Sequence, residues 1–421
     1  MKTSKSNTWK RSVLHHQPDG PSVASALLCI PSEVGELWWH NSHSSGSIVG
    51  ARVCRERSGS SGLWAPTAPC LCRASARCGE TARSTGCRKG PRKAIGSSSR
   101  GGSSHGRGQR RGSTVHPGTA QHWVSACQQV LHAVFFFGRM NQRQIEPNEF
   151  LLSQPFQNLK ENYPRSFQEY NTHLPTTSPY SILLQFGKEV AGCNTQEEME
   201  SFLHEFNSAV EIAIHLQAHR MSPSEFVFRA AVVAYSFYRE PKEPENKASF
   251  PIFYGASVSC RGMMEKKIMI SILCLRTWHK AVAFAVYHGQ DNLVIVFPDE
   301  VQCRAFCYSN GVFIEKPPCV NCKMMYHVNF QPYEGDTREN VPWPHGNCAE
   351  NESLSKLLQG TTGLQEKVVS KDTSVINNPP QNNYQAIEQE FENNIQQNLR
   401  NQLIRLLQNK NLPHRLQFFE P

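Results

Sequence analysis

The apolar positions of this chain change their spacing several times, and the changes divide it into segments. After Thr195, Phe202, Phe206, Val210 and Ile214 recur every four residues, the spacing of one helix face. Thr195-Gln-Glu-Glu198 has the form of a capping box in front of that face. Ser222-Pro223-Ser224-Glu225 predicts a second helix start, followed by Phe226, Ala230, Val233 and Phe237. Short apolar runs then predict strands: Phe250 to Ser259, Lys267 to Leu275, Ala281 to Tyr287 and Asn292 to Phe297, the first two joined as a hairpin. Ser181 to Phe186 reads as another short strand, and Tyr326 to Phe330 as one more. From Tyr384 to Gln408 a helical stripe returns through Ile387, Phe391, Ile395, Leu399 and Leu403. No internal repeat is found.

This pattern predicts an α/β fold: a three-layer α/β/α domain with a mixed sheet over residues 178–362. Residues 140–177, polar and rich in proline, read as an irregular lead-in, and 363–421 as a polar linker with an amphipathic helix able to pack on the domain or on a protein partner. Residues 1–139 read as a disordered, basic, low-complexity extension. Residues 42–118 are largely Ser, Gly, Arg, Pro and Cys, a composition that buries too little apolar surface to offset chain entropy. The apolar clusters Leu37-Trp38-Trp39 and Val134-Phe135-Phe136-Phe137 show no period. Such an arm either binds nucleic acid or acidic partners, or is an extension without structure.

Charge sharpens the division. Residues 1–139 carry 19 Lys and Arg against 5 Asp and Glu, while the rest of the 421 carry 25 against 30. The net charge of +9 therefore belongs to the N-terminal part, and the predicted domain is mildly acidic, which argues against a broad phosphate-binding face. Met1 to Gln17 has no apolar core of a secretory leader, and no apolar run is long enough to span a bilayer. A reducing cytoplasmic or nuclear setting is thus expected, in which closely spaced cysteines favour metal over disulfide.

Of the 15 cysteines, three stand in two short motifs: Pro318-Cys319-Val320-Asn321-Cys322 and His345-Gly346-Asn347-Cys348-Ala349-Glu350. Proline suits a first helical turn, and a helix N-terminus favours thiolates, the metal-binding form. Alone, Cys-x-x-Cys fits structural zinc, redox chemistry or neither, and the second string fits an amphipathic helix with a buried free cysteine. Together they resemble the zinc-dependent cytidine deaminase-like superfamily, in particular members with Cys-Ala-Glu in place of His-Ala-Glu. The resemblance covers at most residues 250–360. It implies zinc held by Cys319, Cys322 and Cys348, a fourth position open to water, and Glu350 as the proton shuttle. The activity implied is deamination of a cytosine-type base in a nucleoside, nucleotide or single-stranded nucleic acid. In that superfamily the Cys-Ala-Glu helix precedes the Pro-Cys-x-x-Cys helix, whereas here Cys322 precedes Cys348 by 26 residues. A circularly permuted arrangement would still set the two helix starts side by side.

Neighbouring residues are candidate substrate contacts. His345 is a ligand, a substrate contact or a loop histidine; Trp343, between two prolines, either stacks on a base or wedges the loop onto the core; Asn321 offers an amide. A rival arrangement, Cys303, Cys307, Cys319 and Cys322, would form a closed structural zinc site; helical spacing over 301–307 instead places Cys303 and Cys307 in the core. Two further readings follow: a zinc-stabilised interaction module of the same fold without turnover, and nucleic-acid binding by the basic arm alone. The chain shows no phosphate-binding glycine loop and no nucleophile elbow.

Overall fold

The computed structural model describes residues 117–141, 144–151, 153–218, 229–240, 250–309, 311–334, 341–374 and 382–421. Within them the chain is α/β, built on a mixed sheet whose central strand is β1 (Val233–Tyr238). β1 pairs antiparallel with β2 (Ile252–Ala256) on one edge and with β4 (Val301–Ser309) on the other. The far edge of β4 is shared. β5 (Val312–Lys316) runs antiparallel along Ala305–Ser309, and β7 (Asn329–Gln331) runs parallel along Gln302–Arg304. A second small sheet has the order β6, β3, β8, β9, formed by Tyr326–His327, Leu293–Val296, Val369–Asp372 and Asn382–Asn383.

Both faces of the first sheet are covered, so β1 is buried along its whole length. Its odd residues Val233, Tyr235 and Phe237 join a core with helices α1 (Pro117–Met140), α5 (Pro179–Ala191) and α6 (Gln196–Ala218). Its even face meets helix α10 (Ala349–Gly360), and there the contacts are small: Ala234, Ala305 and Ala349 pack together, and Ser236 Oγ lies 2.8 Å from Ser353 Oγ. Small residues on both surfaces let the helix backbone lie close to the strands. α10 is thereby fixed against β1, β2 and β4. A larger core on its other side gathers α7 (Met263–Arg276), α8 (Lys280–Tyr287), α9 (Val320–Met325) and the C-terminal helices.

The three-layer domain is present, but several predicted elements differ. The expected boundary at Met140 is the last residue of α1, so residues 117–139, read as part of the disordered arm, are helical, while 1–116 lie outside the described residues; Val130, Leu131 and Val134–Phe137 are buried, and contiguous burial conceals a helical period. The irregular lead-in holds short helices α2 (Pro147–Phe150), α3 (Ser153–Asn162) and α4 (Pro164–Glu169). Ser181–Phe186 is helical, within α5, where Ser178 caps by accepting from the Ser181 N–H and Pro179 occupies the first turn. Lys267–Leu275 and Ala281–Tyr287 lie in α7 and α8, so the hairpin is absent; Ile268–Cys274 and Ala281–Ala285 are buried without a break. Val301–Cys307 is strand β4, because cysteines four apart share a face of a strand as well as of a helix. The start predicted at Ser222–Glu225 lies outside the described residues, and Val233 and Phe237 behind it are on β1.

Other expectations match. Thr195 Oγ1 accepts from the Glu198 N–H while Glu198 Oε2 accepts from the Thr195 N–H, the reciprocal capping pair in front of α6. The C-terminal stripe is helical from Tyr384 to Asn409, with a π-helical turn at Phe391–Ile395, and Ile387, Phe391, Ile395, Leu399 and Leu403 are buried. Among the described residues no helix is long and apolar enough to cross a membrane.

The C-terminal strand-like tail closes on α1, where the His132 ring stacks on Phe419 at 4.1 Å between centroids. Burial pushes the His132 imidazole down to about 3, so the folded protein holds it neutral. A histidine lowered by folding contributes stability above its unfolded value near 6.5 and loses it as pH falls towards 3. Wild-type stability should therefore fall by about 1.4 kcal/mol more per pH unit below 6.5 than that of His132→Phe, which keeps the stacking. Denaturant titrations at pH 7, 6 and 5 measure this, and parallel curves for the two proteins would refute it.

Candidate metal centre

Each half of the site is set by a helix start. Cys319 is the N-cap of α9 and Cys348 the N-cap of α10, both with extended backbone. Cys322 lies one turn into α9 and is fully buried. The Cys319 Sγ is 3.7 Å from the Cys322 Sγ and 3.3 Å from the Cys348 Sγ, and all three sulfurs lie within 4.8 Å of one another. Three thiolates about 2.3 Å from one tetrahedral ion would stand roughly 3.8 Å apart, so this spacing fits a zinc-sized ion and is too long for a disulfide. The two neighbouring thiols pull Cys319 well below the ordinary thiol range and are themselves pushed up. The reversed chain order does not keep the two helix starts apart.

Glu350 is buried in the first turn of α10, and its Oε2 has no hydrogen-bond partner. Burial first, then the negative Cys319 sulfur, raises this carboxyl to about 7. Ala349 and Ser353 occupy the sheet-facing side of the same helix, with Ser353 Oγ donating to Glu350 O at 3.2 Å.

The loop before Cys348 closes over the sulfurs. Gly346 has φ +87°, and a Cβ there would meet Ile270 and Val286 at 2.8 and 2.9 Å, so this position needs glycine twice over. The Val258 N–H donates to Asn347 O at 2.9 Å and ties the loop to the end of β2. Trp343 packs against the core. The Asn321 amide donates to Trp343 O at 3.1 Å, so it fixes the loop. His345 sits with its ring against Gly289, where a Cβ would come within 2.5 Å of Cγ, and its Nε2 is buried without a partner. His345 lies outside the group of three sulfurs.

No family model, curated protein or solved structure matches this chain. The chemistry of the site therefore rests on its own geometry.

The four-cysteine alternative does not assemble. Cys303 is buried under α10 with its Sγ 3.9 Å from Ser353 Oγ, and Cys307 is half-buried on β4. Among the described residues the only group of this kind is Cys319, Cys322 and Cys348.

Several site residues went unread in the sequence. Asn351 is fully buried and bridges the two halves. Glu352 accepts from Ser181 Oγ at 2.8 Å and from the Ala256 N–H at 3.0 Å, and pairs with Lys356 at 2.7 Å, binding α10 to α5 and β2. Gly255 on β2 faces the α10 backbone, where a Cβ would meet Ala349 O at 2.4 Å. A lone glycine inside a strand pattern was the available signal for that approach.

Proposed function

We propose that this chain is a zinc-dependent deaminase-like hydrolase acting on a cytosine-type base. The observation that carries the proposal is a buried carboxyl, Glu350, with an unpartnered oxygen, two residues from one sulfur of a three-cysteine cluster of zinc-like spacing. Cys319, Cys322 and Cys348 would hold the ion, which supplies a Lewis acid that makes water nucleophilic near neutral pH. Glu350 would take one proton from the attacking water and give it to the ring nitrogen, then take the second from the hydroxyl left on the ring carbon and give it to the amino group, which departs as ammonia. His345 and Trp343 close the loop side of the site, and Asn321 holds that loop in place. The acidic balance of residues 140–421 favours a nucleoside or nucleotide over a long single strand. A cytoplasmic or nuclear location and a protein partner for the C-terminal helix belong to the same proposal.

A second reading has an observation of its own. The Glu350 Oε2 and His345 Nε2 are sealed from solvent, and a cavity of about 650 Å³ lies instead on the outer face of α10, lined by Phe253, Tyr254, Trp278, Glu352, Lys356 and Gln359. That arrangement favours a zinc-stabilised interaction module without turnover.

Ammonia release from cytidine, CMP and a cytosine-containing oligonucleotide separates the two readings. Under the enzyme reading Glu350→Ala lowers turnover by about 10²–10⁴-fold with zinc content unchanged. Absence of turnover in zinc-loaded wild type would leave the interaction module.

A further inference from the structure

Three hydrogen bonds run without interruption from one half of the sulfur cluster to the other. The Tyr326 N–H, at the C-cap of α9, donates to Cys322 O. The Tyr326 hydroxyl donates to Asn351 Oδ1 at 2.7 Å, and the Asn351 amide donates to Cys348 O at 2.9 Å. Tyr326 and Asn351 are buried, at 2% and 0% exposure, and the Tyr326 hydroxyl bond is a side-chain link between the segments that carry Cys322 and Cys348. The Tyr326 hydroxyl and the Asn351 amide are both engaged within this relay.

We propose that the Tyr326–Asn351 hydrogen bond is a positioning device that sets the distance between the Cys319–Cys322 turn and Cys348, and so tunes affinity for the metal. The inference rests on the reading of the three sulfurs as a metal site. The physical reason is geometric. Cys319 and Cys322 are fixed to each other by a helical turn, but Cys348 arrives 26 residues later on another helix. The third ligand is therefore the one whose placement depends on tertiary contacts. A hydrogen bond from Asn351 to the Cys348 carbonyl holds the backbone of that ligand, and the tyrosine holds Asn351. Outer partners that orient metal ligands typically change affinity by about 10–100-fold when removed.

The molecule contains its own control. Tyr180 donates to Asn207 Oδ1 at 2.7 Å in the other core, and Asn207 passes its amide to Leu203 O at 2.7 Å, the same buried Tyr–Asn–carbonyl relay. Tyr180→Phe and Tyr326→Phe each delete one buried hydroxyl and should lower the melting temperature alike. Only Tyr326→Phe should weaken zinc binding, by about 10-fold or more in competition with a chromophoric chelator, and alter the cobalt(II) thiolate charge-transfer spectrum. Tyr180→Phe should bind zinc within about twofold of wild type, since its relay touches no ligand. Should Tyr326→Phe unfold, Tyr326→Phe with Asn351→Ala removes both polar ends and is measured in the same way. Equal zinc affinity in the two tyrosine variants overturns the positioning role and leaves the metal site intact. Absence of zinc and cobalt binding by wild type overturns the metal site, and the positioning role with it.

Discussion

Gly255→Ala should destabilise the protein by about 3 kcal/mol or more and reduce its metal content in the same step. The added methyl would stand 2.4 Å from Ala349 O, 2.5 Å from Ser353 N and 2.8 Å from Glu352 Cβ. Two of these three atoms are backbone, so no rotamer change relieves the contact. Either α10 lifts from β2 or the sheet bends, and both movements break the Ala256 N–H to Glu352 bond of 3.0 Å. α10 carries Cys348 at its cap, so the third sulfur moves with it. Gly363→Ala is the reference substitution: its φ is +76° with no atom within 4 Å of the built Cβ. Conformational strain alone should then cost about 1–2 kcal/mol. Equal losses in the two variants, measured by denaturant unfolding, would show that the helix does not lie on the strand as described.

Removing the metal should lower the melting temperature of wild type by roughly 10 °C and leave Cys348→Ser unmoved by chelator. The three sulfurs converge to 3.3 and 3.7 Å at a buried place, where thiolates repel and thiols leave a tight, poorly bonded cluster. An ion that binds the folded form alone adds about 4 kcal/mol at a thousandfold excess over its dissociation constant. For a domain of this size that amounts to roughly 2–4 °C per kcal/mol. Cys348→Ser removes the sulfur that completes the trio, and with it the linkage between metal and melting. A chelator that shifts both proteins equally would place the stabilising metal elsewhere.

The two motifs of the site were legible in the sequence because each is a short local string of fixed residue type and spacing. Pro-Cys-x-x-Cys and Cys-Ala-Glu each mark a helix start, and both helices begin at the cysteines named. What closes the site was not legible. Asn351 and Tyr326 act across tertiary contacts, and nothing local distinguishes a buried asparagine that bridges two helices from one on a surface. Helices exposed on one face were also readable, as the capping box at Thr195 and the stripe from Ile387 to Leu403 show. Buried helices were not. Over Ile268–Cys274 of α7 and Ala281–Ala285 of α8 every side chain is buried, so the 3.6-residue period disappears and a strand-like run remains. α1 fails for the same reason, with Phe135, Phe136 and Phe137 all buried beside a low-complexity stretch. The paired cysteines of β4 show a different ambiguity, since a spacing of four keeps one face in helix and strand alike.

Zinc stoichiometry tests the central claim most directly, measured on wild type, Cys348→Ser and Cys303→Ser after purification without added metal. The geometry predicts one zinc per chain in wild type, lost in Cys348→Ser and kept in Cys303→Ser. Zinc kept without Cys348 and lost without Cys303 would contradict the three-sulfur centre, and the deaminase reading would fall with it.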